Sequence, residues 1–147
     1  MRVCQQKNFR EENKNMTTEA EKQKKIGNIH IDFDSDNILP ELNREDLEKI
    51  GAESKPVLLK KSVIERNLLR HPDVDKKEYD YLLGQALYYN PSYFPGLKNN
   101  YVNFVSKIND RDNSLVLIEM SETKSNFEIV HLMKINDSNL KRMKKRN

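Results

Sequence analysis

Residues 62–72 read SVIERNLLRHP, and the reading of this stretch decides what the rest of the chain can be. Ser62 followed three residues later by Glu65 is the pattern of a reciprocal helix N-cap, Ile64 and Leu68 fall one turn apart, and Pro72 cannot continue a helix. The spacing predicts a short helix whose last position is His71, seven residues after Ile64 and so on the same inward stripe. A second helix is predicted at once. Asp75 with Glu78 repeats the cap, Tyr79, Leu82, Leu83, Ala86 and Leu87 supply a buried face, and Asn90-Pro91 ends it.

Working outward, residues 55–59 (KPVLL) read as an edge strand feeding the first helix. Further upstream, Asn43 with Asp46 caps a short helix carrying Leu47 and Ile50 and closed by Gly51. Residues 28–33 (NIHIDF) alternate Ile29, Ile31 and Phe33 with His30 and Asp32, the period of a strand. Residues 1–27 are rich in Lys, Glu, Gln and Asn with few large apolar side chains, and are predicted to be a disordered or frayed charged arm.

Downstream, residues 92–100 (SYFPGLKNN) read as a loop punctuated by Pro95 and Gly96. Three strand-like runs follow, over residues 101–108, 115–120 and 127–135, joined by short polar connectors, so antiparallel pairing in chain order is predicted with the middle run central. In the third run Phe127, Ile129, His131 and Met133 alternate against Glu128 and Lys134 and are expected on one face. Residues 136–147 begin as a capped helix anchored by Leu140 and Met143 and end in a cluster of cations. The expected fold class is α+β: two short helices packed on an antiparallel three- to four-stranded meander whose other face is open, with a C-terminal helix and the N-terminal arm. The division expected is an arm over 1–27, an extension with a short helix over 28–54, and the α+β domain with its basic tail over 55–147.

Composition narrows the function. The chain has 147 residues, 33% charged and 36% hydrophobic with no Trp, which is room for one ordinary domain with a compact core. The formal charge of +3 permits an anionic partner without requiring one. A lone Cys4 excludes an internal disulfide and suits a reducing compartment. No run of apolar residues reaches membrane-spanning length, so a cytoplasmic chain without membrane contact is expected. There is no glycine-rich phosphate loop, no His-Glu-x-x-His pair and no Gly-x-Ser-x-Gly elbow. His30, His71 and His131 lack ligand spacing, and neither a metal nor a cofactor is expected.

RNA cleavage by attack of the ribose 2′-hydroxyl needs only a base, an acid and cations for the phosphate, all available from side chains. The candidates are His71, His131, Arg70, Lys60, Lys61, Lys107, Tyr101 and Ser121. Each has an ordinary reading beside the chemical one. A histidine closing a helix is more often a packed or capping residue, and one on an apolar-facing strand is more often simply hydrogen-bonded. Tyr101, Asn103 and Lys107 share one face of their strand, opposite Val102 and Phe104, and a solvated sheet face explains them as well as a site does. For nucleic-acid contact the candidates are Lys60, Lys61, Tyr93 in its loop, and Lys141, Arg142, Lys144 and Lys145 in the tail. Solvated cations complementing a helix dipole are the commoner meaning of such a tail.

The stretches ELNREDLEKIG, KPVLLKKSVIERNLLRHPDV and EYDYLLGQALYYNPSYF, followed by the three strand runs, resemble the phage-borne branch of the metal-independent ribonuclease superfamily of barnase, EndoU, the ribonuclease colicins and the RelE toxins. Arg70-His71-Pro72 and Asn90-Pro91 carry the resemblance, which covers about residues 41–140. It implies an endoribonuclease of toxin or effector type, with RNA as substrate, an inhibitor (immunity) protein or a phage structural protein as further partner, and packaging in a phage particle as an alternative location. It implies that His71 is a catalytic acid or base. His131 or Tyr101 is the expected counterpart, with Ser138 as an alternative, and Arg70 and Lys107 would stabilise the pentacovalent phosphate. The rival expectation is a non-enzymatic phage particle or cargo protein that binds nucleic acid or a protein partner.

Overall fold

The computed structural model describes residues 16–146. Residues 1–15 of the predicted arm, Cys4 among them, lie outside the described part. The remainder of that arm is a helix, α1 (Glu19–Gly27), started by a reciprocal cap in which Thr18 Oγ1 accepts from Glu21 N at 3.1 Å. What holds it is tertiary contact that composition does not reveal. Lys22 is buried, ion-paired to Glu45 at 3.3 Å and donating to Asn90 Oδ1 at 2.6 Å, and Ile26 packs on the main core.

The alternation over residues 28–33 is correct about burial and wrong about conformation. Ile29 is buried, and Ile31 and Phe33 pack beside it, but the segment is not a strand; Ile31 N donates to Asp80 Oδ1 at 3.3 Å. The first strand, β1 (Asn37–Leu39), lies further along. α2 (Arg44–Ile50) is capped by Gly51 at φ 82°, a left-handed position that favours glycine. β2 (Val57–Leu59) leads into α3 (Lys61–Arg70), whose N-cap is Lys60, so the Ser62 cap does not form and His71 is the C-cap residue. α4 (Lys76–Tyr88) starts as expected, with Asp75 accepting from Glu78 N at 3.1 Å.

β3 (Ser92–Pro95) occupies part of the predicted loop, followed by β4 (Tyr101–Lys107), β5 (Asp112–Glu119), β6 (Phe127–Asn136) and α5 (Asp137–Arg146). The fold is α+β, and its sheet is larger than the predicted meander: six strands in the order β1-β2-β6-β5-β4-β3. All neighbours are antiparallel except β2 and β6, which run parallel. β2 is therefore an interior strand, and β3 is an edge, where Pro95 is tolerated because the outer side needs no donor. β2 reaches only Phe127 and Glu128, so among the described residues β6 has no strand on its side away from β5 from there on. α3 takes part of that place, and Arg66 Nη2 donates to Val130 O at 3.2 Å.

Two apolar clusters result. The main one joins α3, α4 and the segment from Ile29 to Leu47 to Phe104, Val116, Ile118, Phe127, Ile129 and Leu132. The smaller one lies across the sheet, where Leu140 and Met143 of α5 cover Val105, Leu115, Met133 and Ile135, so the face expected to be open is partly closed. β6 serves both clusters because of a bulge: Ile118 pairs with Ile129 and Leu117 with His131, leaving Val130 as the extra residue. The alternation expected from Phe127 to Met133 breaks there. Phe127 and Ile129 face the helices, Leu132 replaces His131 on that side, and His131 shares a row with Leu117.

Candidate active site

The C-terminus of α3 and the bulge of β6 bring two histidines together. Pro72 stops α3, His71 leaves the helical region at φ −124° and ψ 74°, and its N–H still closes the last turn on Asn67 O at 2.8 Å. Its ring lies 6.2 Å from that of His131, centroid to centroid, at 56° between planes. His131 Nε2 is buried and has no hydrogen-bond partner among the described residues. Burial, reinforced by His71 and the Arg66 guanidinium, pushes the His131 pKa down to about 4. His131 is consequently neutral at pH 7, and its Nε2 is unpartnered among the described residues. His71 is half-buried, and Arg70, exposed, precedes it on the last helical turn.

A neutral imidazole 6.2 Å from a second one, with the Arg66 guanidinium near, has the parts to move a proton off one oxygen and onto another of a bound phosphodiester. Arg66 belongs to this arrangement and sequence reasoning did not single it out. Its helical spacing carries no signal, because its place depends on where β2 stops.

The other candidates lie elsewhere. Lys107 ion-pairs with Asp137 at 2.6 Å, which holds that carboxyl below its ordinary range. By register Lys107 is two strands from His131 and four residues along, on the order of 16 Å. Tyr101 shares a sheet face with His131 but sits two strands across and nearer the opposite end, under Lys98 Nζ at 5.7 Å. Ser138 is in the first turn of α5. Lys60 pairs with Glu128 at 2.9 Å and Lys61 with Glu65 at 3.8 Å. Tyr93 is in β3 rather than a loop, its ring half-buried 5.5 Å from that of Phe104. Lys144 lies over Phe94 at 5.7 Å, and Lys141, Arg142 and Lys145 are exposed. Among the described residues no group of three or more His, Cys, Asp or Glu is placed to hold a metal ion, and no helix is long and apolar enough to cross a membrane.

One protein-family model matches residues 11–147, that of the large polyvalent protein-associated domain 13. No curated protein and no solved structure matches the chain.

Proposed function

We propose that this chain, which belongs to the large polyvalent protein-associated domain 13 family and is thereby phage-associated, cleaves RNA without a metal ion. The observation that carries the reading is the convergence of His71 and His131, which lie 60 positions apart in the sequence, at 6.2 Å beside Arg66. His131, kept neutral by its surroundings, takes the proton of the attacking 2′-hydroxyl. His71 returns one to the leaving 5′-oxygen, while Arg66 and Arg70 neutralise the phosphate as charge builds on it. Access to the buried Nε2 needs a side-chain motion around His131 when the substrate enters.

The test is cleavage of RNA by the purified chain in the presence of a chelator, leaving 2′,3′-cyclic phosphate ends. His71→Ala and His131→Gln are both expected to abolish it. The acid limb of kcat/KM is expected near pH 4, where His131 titrates, instead of near 6.5. Cleavage that stops with the chelator, or persists in His71→Ala, overturns the mechanism.

A specific observation favours a second reading. The catalytic nitrogen of His131 is sealed in the resting fold, as it is in a histidine that merely packs, and the exposed cations of α5 then become the working surface of a binding domain carried in a phage particle. In that case binding to a partner survives His71→Ala, and RNA stays intact.

A further inference from the structure

We infer that the free side of β6 over residues 133–136, with the groove beside it, docks an extended acidic peptide of a partner protein as an added strand. The groove has a volume of about 960 Å³ and is lined by Met133, Lys134 and Ile135 of β6, by Asp73, and by Arg142 and Lys145 of α5. Lys134 is bonded to Glu78 on the α4 side, whereas Met133 and Ile135 belong to the cluster under α5. Consecutive residues of one strand, whose side chains leave on opposite faces, line the same groove where the groove looks onto that strand's edge.

The main-chain direction agrees. Val130 O points away from β5, to Arg66, and the two-residue alternation of a strand turns the N–H and C=O of Lys134 the same way. β2 ended six residues earlier, at the level of Glu128, so no strand among the described residues meets them. An unpaired strand edge beside a groove is the geometry of strand addition.

Charge selects the occupant. Arg142, Lys145 and Arg146 are exposed and form no ion pair among the described residues; the one hydrogen bond of Arg142 is a long 3.5 Å contact to Asn139. Asp73, from the turn after α3, and Asp112, at the start of β5, line the groove as well. A peptide strand presents alternate side chains to its two sides, so acidic residues meet α5 while neutral or basic ones meet Asp73. A nucleic-acid backbone carries the same charge throughout and would set phosphates against Asp73 and the β6 carbonyls. The inference is independent of the histidine pair.

The probe is a short fluorescent peptide alternating Glu and Thr, titrated against the full chain. Saturable binding is expected, weakened about tenfold in the double variant Arg142→Glu, Lys145→Glu and unchanged in His71→Ala. It is also expected to vanish when the amides of alternate residues, those that face β6, are N-methylated, which removes strand pairing and leaves charge intact. Equal binding of the N-methylated peptide overturns the proposal. So does binding of a single-stranded oligonucleotide of matched charge where the peptide fails. Both arginine and lysine positions are exposed, and circular dichroism checks the fold of the variant; should it not fold, the N-methylated peptide decides alone.

Discussion

At the scale of single residues, two partly or fully buried ionisable groups, His131 and Asp46, pull on stability in opposite directions. His131 titrates at about 4 in the fold against an ordinary 6.5, so between those values the unfolded chain binds the extra proton and stability falls as pH falls. The slope is at most ~1.4 kcal/mol per pH unit. Asp46, buried beside Glu45, has its carboxyl pushed up to about 6 from 3.8. There the folded chain binds the extra proton, so stability is lost as pH rises through that window. The two windows overlap from about 4 to about 6. Relative to the wild-type protein in urea unfolding, His131→Gln is therefore expected to gain stability as pH falls through that window, and Asp46→Asn to lose it. Parallel profiles for the two variants would contradict this assignment. Neither environment is readable from the sequence: Asp46 reads as part of a helix cap, and the sealing of His131 depends on a bulge that no residue type announces.

At the scale of elements, α3 and α4 are tied by one buried polar contact, Asn67 Nδ2 donating to the Tyr79 hydroxyl at 2.8 Å. Burial pushes the Tyr79 pKa up to about 12, so the hydroxyl keeps its proton and needs a partner. Asn67→Ala strands it and is expected to cost about 1–3 kcal/mol in urea unfolding. The Asn67→Ala, Tyr79→Phe double variant is expected to lose less than the sum of the singles. At the turn from β3 to β4, a Cβ on Gly96 would stand 2.7 Å from that of Tyr101 while Gly96 N bonds Tyr101 O at 2.7 Å. Gly96→Ala is expected to detach β3, seen as fast amide exchange at its paired positions with β5 and β6 still protected. α4 was legible because its cap and apolar stripe are local. β3 was not, because Pro95 and Gly96 signal a turn while the pairing is imposed by β4. β1, three residues with one buried side chain, leaves too short a pattern to detect. The turn spacing of Ile64 and Leu68 together with Pro72 places His71 at the end of α3 from sequence; its meeting with His131 needs the sheet.

At the scale of the whole molecule, the main cluster draws residues from Ile29 to Leu132, so segments far apart in sequence share one interior. Unfolding followed by tyrosine fluorescence and by far-ultraviolet circular dichroism is expected to give coincident transitions, and separated midpoints would mean that the N-terminal segment melts on its own. The smaller cluster beneath α5 is the weaker partner, since it consists of four buried side chains with Phe94, Met133 and Met143 around them. The extra residue at Val130 gives β6 a change of allegiance halfway along its length. Ahead of it the odd-numbered residues of the strand answer to the helices, behind it to the basic C-terminal segment, and a deletion of that one position would set Ile129 and His131 side by side opposite Ile118 and Leu117, in unbroken alternation. Every later residue would keep its partner on β5, with Met133 and Ile135 still under α5, so a chain shortened by a single valine should retain its tail's anchorage and forfeit only the carbonyl that Arg66 grips.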